Sequence, residues 1–257
     1  MKHIKQLLRY LYYIINAKNE HGIHSPFVFD LYTNIIKDKN PFYIFGPIES
    51  LRAKMYISNE EIAVEDMGTG SSGNRKISTI AKNSVKDPKY AQLLFRLLNH
   101  FDCNNVLEIG TSLGITTCYL SSFSKNAKVI TLEGCQNTSN IARSNFKKLN
   151  LNNIEVITGA FDNTLQPALE KLNTVDFVFI DGNHKYEPTI EYFNQCLEHI
   201  NESSILVFDD IHWSNEMEAA WKTIQSHEQT TCTIDLYELG IVFFKKEIKK
   251  SDFVLFL

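Results

Sequence analysis

NVLEIGTSLGITTCYLSSF, residues 105–123, runs from an apolar stretch through a glycine turn into a helical pattern, and its reading decides the fold. Val106, Leu107 and Ile109 suit a buried strand, and ITTCYLSSF has the length and apolar character of a helix. A glycine loop at such a junction gives a ligand backbone N–H groups and close approach together. The next strand, KVITLE, ends at Glu133, where sheets of this type hold a ribose diol. Gly110 and Gly114 are spaced G-x-x-x-G, which suits a nucleoside bearing an amino acid better than a pyrophosphate.

A tidier motif lies upstream. GTGSSG, residues 68–73, satisfies G-x-G-x-x-G, but the run before it, EEIAVEDM, is a weak strand at best, and no strand ending in an acid follows at ribose distance. It reads as a mobile connection, with a secondary option as a loop folding over a bound ligand.

Working outward from residues 105–123, β-rich runs alternate with helical ones. NVLEIG, KVITLEG, IEVITGA, VDFVFIDG and SILVFDD are each followed by a helix, the pattern of a parallel sheet covered on both faces. CTIDLYELGIVFFKK reads as two strands around a Leu239-Gly240 turn, so the last pair is expected to be antiparallel. The expected fold is α/β: a Rossmann-like, doubly wound, mostly parallel seven-stranded sheet closed by a C-terminal antiparallel hairpin.

Residues 1–84 read as a mainly helical N-terminal extension and residues 85–257 as the catalytic domain. Ile4, Leu7, Leu8, Leu11, Tyr12 and Ile15 form a helical stripe that a partner surface must cover, and a homodimer is one candidate. In HGIHSPFVFDLY, Ser25 suits an N-cap and Pro26 the first helical position, and His21 and His24 read as turn residues.

Composition narrows the function. A net charge of −4 and the absence of a dominant basic block argue against a nucleic-acid partner. The five cysteines are scattered, with no C-x-x-C pair, so neither a zinc site nor a disulfide framework is expected. No apolar run reaches membrane-spanning length, and the first residues lack a signal-like core; no membrane partner and a cytoplasmic location are the expectations.

Three carboxylates, Asp181, Asp209 and Asp210, fall at the carboxyl ends of adjacent predicted strands, where open α/β sheets bind ligands. Such crowding suits a hard divalent cation, Mg²⁺ first, though caps and loop hydrogen bonds account for the same residues. His184 and His212 lie close by in sequence and are not assigned to the metal.

These stretches resemble the class I S-adenosylmethionine-dependent methyltransferases, within them the cation-dependent branch of catechol and caffeoyl-CoA O-methyltransferases. The likeness covers roughly residues 85–246. SVKDPKYAQLLFRLL resembles the branch's lead-in helix, VLEIGTSLGITTCYL its cofactor loop, VITLEG its ribose strand, ITGAFDNTL its adenine-side loop, and VDFVFIDGNHKY and ILVFDDIHW its active-site strand ends. The resemblance implies S-adenosylmethionine as cofactor and a small-molecule methyl acceptor. Glu108 would face the methionine end, Gly110, Thr111 and Gly114 would pack against the cofactor, Glu133 would bind the ribose, and Ala160 and Phe161 would border adenine. Asp181, Asp209 and Asp210 match the metal positions, with Asp210 replacing an asparagine. Asp181 also counts among the cofactor-binding and catalytic residues. Where the branch has a lysine base, three residues past the first aspartate, this chain has His184, a credible base near neutral pH. Trp213 and Tyr186 are candidates for the acceptor pocket wall.

The competing readings are a metal-free methyltransferase using His184, a nicotinamide-dependent oxidoreductase on a similar sheet, and a binding protein that has lost chemistry. The terminal hairpin and the lack of a Tyr-x-x-x-Lys pair speak against the oxidoreductase.

Overall fold

The computed structural model describes residues 2–66 and 71–257. By its contacts the chain forms two compact units, one of residues 39–175 and one joining residues 1–38 to residues 176–257. The expected extension 1–84 is therefore divided between them.

In residues 1–38, α1 (Lys2–Asn16) and α2 (Pro26–Leu31) form where the apolar spacing predicts them. Ser25 caps α2 by accepting from Val28 N, with Pro26 at the first turn. The inward face of α1 carries Gln6, Arg9, Tyr10 and Tyr13, one helical turn apart. Gln6 donates to His212 O and to Tyr237 Oη, Arg9 pairs with Glu218 at 3.1 Å, and Tyr13 Oη donates to Leu255 O.

Residues 39–175 begin with α3 (Phe45–Tyr56), then β1 (Glu61–Asp66), β2 (Ser71–Lys76), α4 (Ile77–Ser84) and α5 (Pro88–His100). β1 and β2 pair antiparallel, Glu61 opposite Lys76. The upstream segment is thus not purely helical. The second half of GTGSSG, Ser71 to Gly73, lies in β2, whereas the tip, 67–70, lies outside the described residues, so the reading of a mobile connection is not addressed there. β3 (Asn105–Ile109), α6 (Ile115–Ser122), β4 (Lys128–Glu133), α7 (Gln136–Lys148), β5 (Ile154–Thr158) and α8 (Phe161–Leu172) follow. β3, β4 and β5 are parallel neighbours in that order, Glu108 opposite Thr131 and Glu133 opposite Thr158. An aromatic cluster joins α3 and α5 to α6: the Phe45 ring lies 5.1 Å from Phe95 and 5.3 Å from Tyr119. Burying such rings contributes about 2–3 kcal/mol each, which fastens residues 39–84 to α6.

Residues 176–257 add β6 (Phe177–Ile180), α9 (Tyr186–Leu197), β7 (Ile205–Asp209), α10 (Asn215–Ser226), β8 (Cys232–Asp235), β9 (Leu239–Phe243) and β10 (Ser251–Val254). β6 and β7 are parallel, and β9 runs antiparallel to both β7 and β8, as the hairpin pattern predicts. The turn, however, lies at residues 236–238, where Leu236 N bonds to Leu239 O, and Leu239 and Gly240 are already inside β9. Gly240 answers to packing: a Cβ there would meet the Trp221 ring at 2.6 Å.

The seven expected strands are joined by an eighth, β10, which pairs parallel with β8 and brings Leu255 beside Lys18. The main strands are therefore mostly parallel with helices between them, as expected of a Rossmann-like fold. Among the described residues no helix is long and apolar enough to cross a membrane. The five cysteines are free and buried.

Candidate functional site

Three loops at the carboxyl ends of β3, β4 and β5 meet within residues 39–175. After β3 the chain turns at Gly110, whose φ of 107° is a left-handed conformation that favours glycine. Gly110 N and Thr111 N both donate to Leu132 O, and Ser112 N donates to Glu133 Oε2 at 2.8 Å. Glu133 Oε1 accepts from Cys135 N, and its carbonyl accepts from Gly159 N. The carboxylate expected to bind ribose is thus clamped between the glycine loop and the start of α7. Ala160 caps α8 and Phe161 opens it, immediately beyond the Gly159–Glu133 bond. Gly114, with φ of 80°, has a second reason to be glycine: a Cβ would strike the Phe146 ring of α7 at 2.6 Å.

Glu108 is fully buried in β3. Thr117 and Thr131 donate to its Oε2 at 2.5 and 2.6 Å, while Oε1 has no hydrogen-bond partner among the described residues. Burial pushes its carboxyl up to about 8, against the lowering effect of the two threonine hydroxyls, with the nearby Glu133 raising it further. A buried acid held by one oxygen and open at the other is matched to a cationic donor, such as an ammonium group. The sequence reading missed Thr117 and Thr131, although strand pairing opposite Glu108 marks Thr131 as its neighbour.

The other expected residues lie on the ends of β6 and β7. Register pairs Ile180 with Phe208, so Asp181 and Asp209 leave neighbouring strands at one level. His184 Nε2 lies 3.5 Å from Asp181 Oδ1. Asn183, His184 and Asp210 have positive φ of 67°, 36° and 54°, conformations that cost non-glycine residues energy and gather at functional turns. Among the described residues no group of three or more His, Cys, Asp or Glu side chains is arranged to hold a metal ion. Trp213 is 45% exposed, while Tyr186 Oη lies 3.2 Å from Thr223 Oγ1 on α10.

His212 has a different task. Its Nε2 lies 2.7 Å from Asp235 Oδ2, its Nδ1 3.4 Å from Glu218 Oε1, and its ring stacks on Tyr237 at 5.4 Å. Burial pulls its pKa down, but the hydrogen bonds and charges of Asp235 and Glu218 outweigh this and raise it. With both ring nitrogens engaged, His212 is available neither as a base nor as a ligand.

Residues 107–211 match a family described as a methyltransferase domain. An uncharacterized protein of Acanthamoeba polyphaga mimivirus is 31% identical over 139 residues, 49% of this chain; the match spans 62% of that relative's length. An O-methyltransferase from Bacillus cereus, solved with S-adenosylhomocysteine, superposes with a TM-score of 0.58 at 20% identity, covering 84% of this chain and 96% of that one. An O-methyltransferase of tomaymycin synthesis from Streptomyces achromogenes, solved with S-adenosylmethionine, gives 0.54 at 17% identity, covering 63% and 82%. Residues 107–211 thus resemble a methyltransferase domain, and the Rossmann-like α/β fold is the one these solved structures share.

Proposed function

We propose that this chain is an S-adenosylmethionine-dependent O-methyltransferase for a small hydroxylated acceptor, with cofactor binding in residues 39–175 and proton removal by His184. The observation that carries the reading is the buried Glu108 carboxyl, open at Oε1 and set beside loops that clamp Glu133. Glu108 would take the cofactor's ammonium, Glu133 the ribose hydroxyls, Gly110 and Thr111 would border it with backbone, and Ala160 and Phe161 would flank the adenine. Bound S-adenosylmethionine supplies a sulfonium methyl to the acceptor oxygen. The Asp181–His184 pair, 3.5 Å apart, suits removal of the acceptor's proton by the His184 imidazole. Trp213, half-exposed beyond β7, is suited to walling an apolar acceptor.

A divalent cation on Asp181, Asp209 and Asp210 is less well supported, because the described residues do not gather three such ligands. No step is assigned to it, and turnover is expected to persist in a chelator; its loss there would restore the cation. The cofactor reading is tested by titration calorimetry: wild type binds S-adenosylmethionine or its demethylated product, and absence of heat at millimolar ligand would defeat the proposal. The O-acceptor assignment is tested by mass spectrometry of products from a panel of phenols, catechols and amines, and methylation confined to amines would overturn it.

A further inference from the structure

The outward face of α1 is apolar and uncovered. Ile4 is 63% exposed, Leu8 60%, Tyr12 70% and Ile15 80%, with Leu7 and Leu11 also exposed. The opposite face is fixed by Gln6, Arg9 and Tyr13 to residues 212–255, so the apolar face is held outward on a rigid element. From the geometry we infer that this face is a two-fold interface at which α1 packs antiparallel against α1 of a second copy of this chain.

Three features identify that occupant. Ile4, Leu8, Leu11 and Ile15 follow the four-three-four spacing of a helix-pairing seam. The six apolar positions are also symmetric about a point between Arg9 and Tyr10. In an antiparallel pair centred there, Ile4 of one protomer lies level with Ile15 of its partner, Leu7 with Tyr12, and Leu8 with Leu11. Each member of the stripe therefore meets another member, as an isologous contact requires. Finally, all six residues are 48–80% exposed, so the stripe is open to a partner along its whole length.

A lipid surface fits less well. Among the described side chains of α1, Lys5 is the only exposed charge, Arg9 is turned inward to Glu218, and the chain's net charge of −4 opposes anionic headgroups. Level with Lys5 in the antiparallel pair is Ile14 of the partner, which the lysine stem can cover.

Light scattering on the full chain at micromolar concentration is expected to give twice 29.6 kDa. Leu8→Glu with Leu11→Glu is expected to give the monomer, with an unchanged circular dichroism spectrum because neither side chain is buried. Orientation is tested by mixing Ile4→Cys and Ile15→Cys chains under oxidant: the mixture cross-links and neither variant does so alone, over a low background because the native cysteines are buried. A monomeric wild type, a dimer that survives the double glutamate variant, or cross-linking within one variant would overturn the inference. A monomer that floats with phosphatidylglycerol vesicles through the same leucines would replace it with a lipid surface.

Discussion

The loops of residues 39–175 and the strand ends of residues 176–257 hold their candidate site residues by different means. Around Glu133 the backbone does the work: Gly110, Thr111, Ser112 and Gly159 each donate an N–H to the β4 end, so one loop cannot move without breaking a bond to another. After β6 and β7 the side chains stand on strained turns, with Asn183, His184 and Asp210 in left-handed conformations and Asp181 paired only loosely to His184 at 3.5 Å. A tightly bonded set suits a group whose shape never varies, such as a nucleoside cofactor. A turn that stores strain suits a residue that must present a basic atom to a changing partner.

The largest expected effect breaks the first region. Gly110→Arg places a side chain on a left-handed backbone in the cofactor loop and should remove cofactor binding, a loss of more than 100-fold by calorimetry with the fold retained by circular dichroism. Next, His184→Ala should lower kcat by about 10² to 10³ while leaving cofactor affinity within twofold. A parallel loss of cofactor binding would show that the two regions are not functionally separable.

Glu108→Gln sharpens the contrast through pH. Because the folded carboxyl titrates near 8, above its unfolded value, the ligand-free protein loses stability as pH rises from about 4.5 through 8. The glutamine variant lacks that loss, so its melting temperature should exceed wild type by several degrees at pH 8.5 and match it at pH 4.5, although it binds cofactor at least tenfold more weakly. Smallest is Asp235→Asn. The raised His212 contributes stability that is complete below 6.5 and disappears as pH rises through the raised value. The variant should melt a few degrees below wild type at pH 6 and alongside it at pH 9.

The loops after β3, β4 and β5 were legible as strand-to-helix junctions because each is local: a strand, a glycine or acid at its tip, and a helix start lie within a few residues. Glu133 could be matched to Gly110 by spacing alone. What escaped depends on partners distant in sequence. β2, with Ser71, Ser72, Gly73 and Asn74, has none of the branched or aromatic residues that announce a strand, and it forms because β1 pairs with it. β10 is a short edge strand whose register is set by β8. His212 lies two residues from Asp210, which drew attention to it for chemistry, yet its partners Asp235 and Glu218 make it a brace beneath α1.

The junction of Lys18 with Leu255 bears on how the molecule is made. Lys18 N donates to Val254 O, Phe256 N to Lys18 O, and Tyr13 to Leu255, so these bonds cannot form until residues near 255 have left the ribosome. Residues 39–175 contain all the contacts of their own unit and are free to close earlier. During synthesis α1 lacks its inward anchor until the last strand is made, so neither face of the helix is covered in that interval.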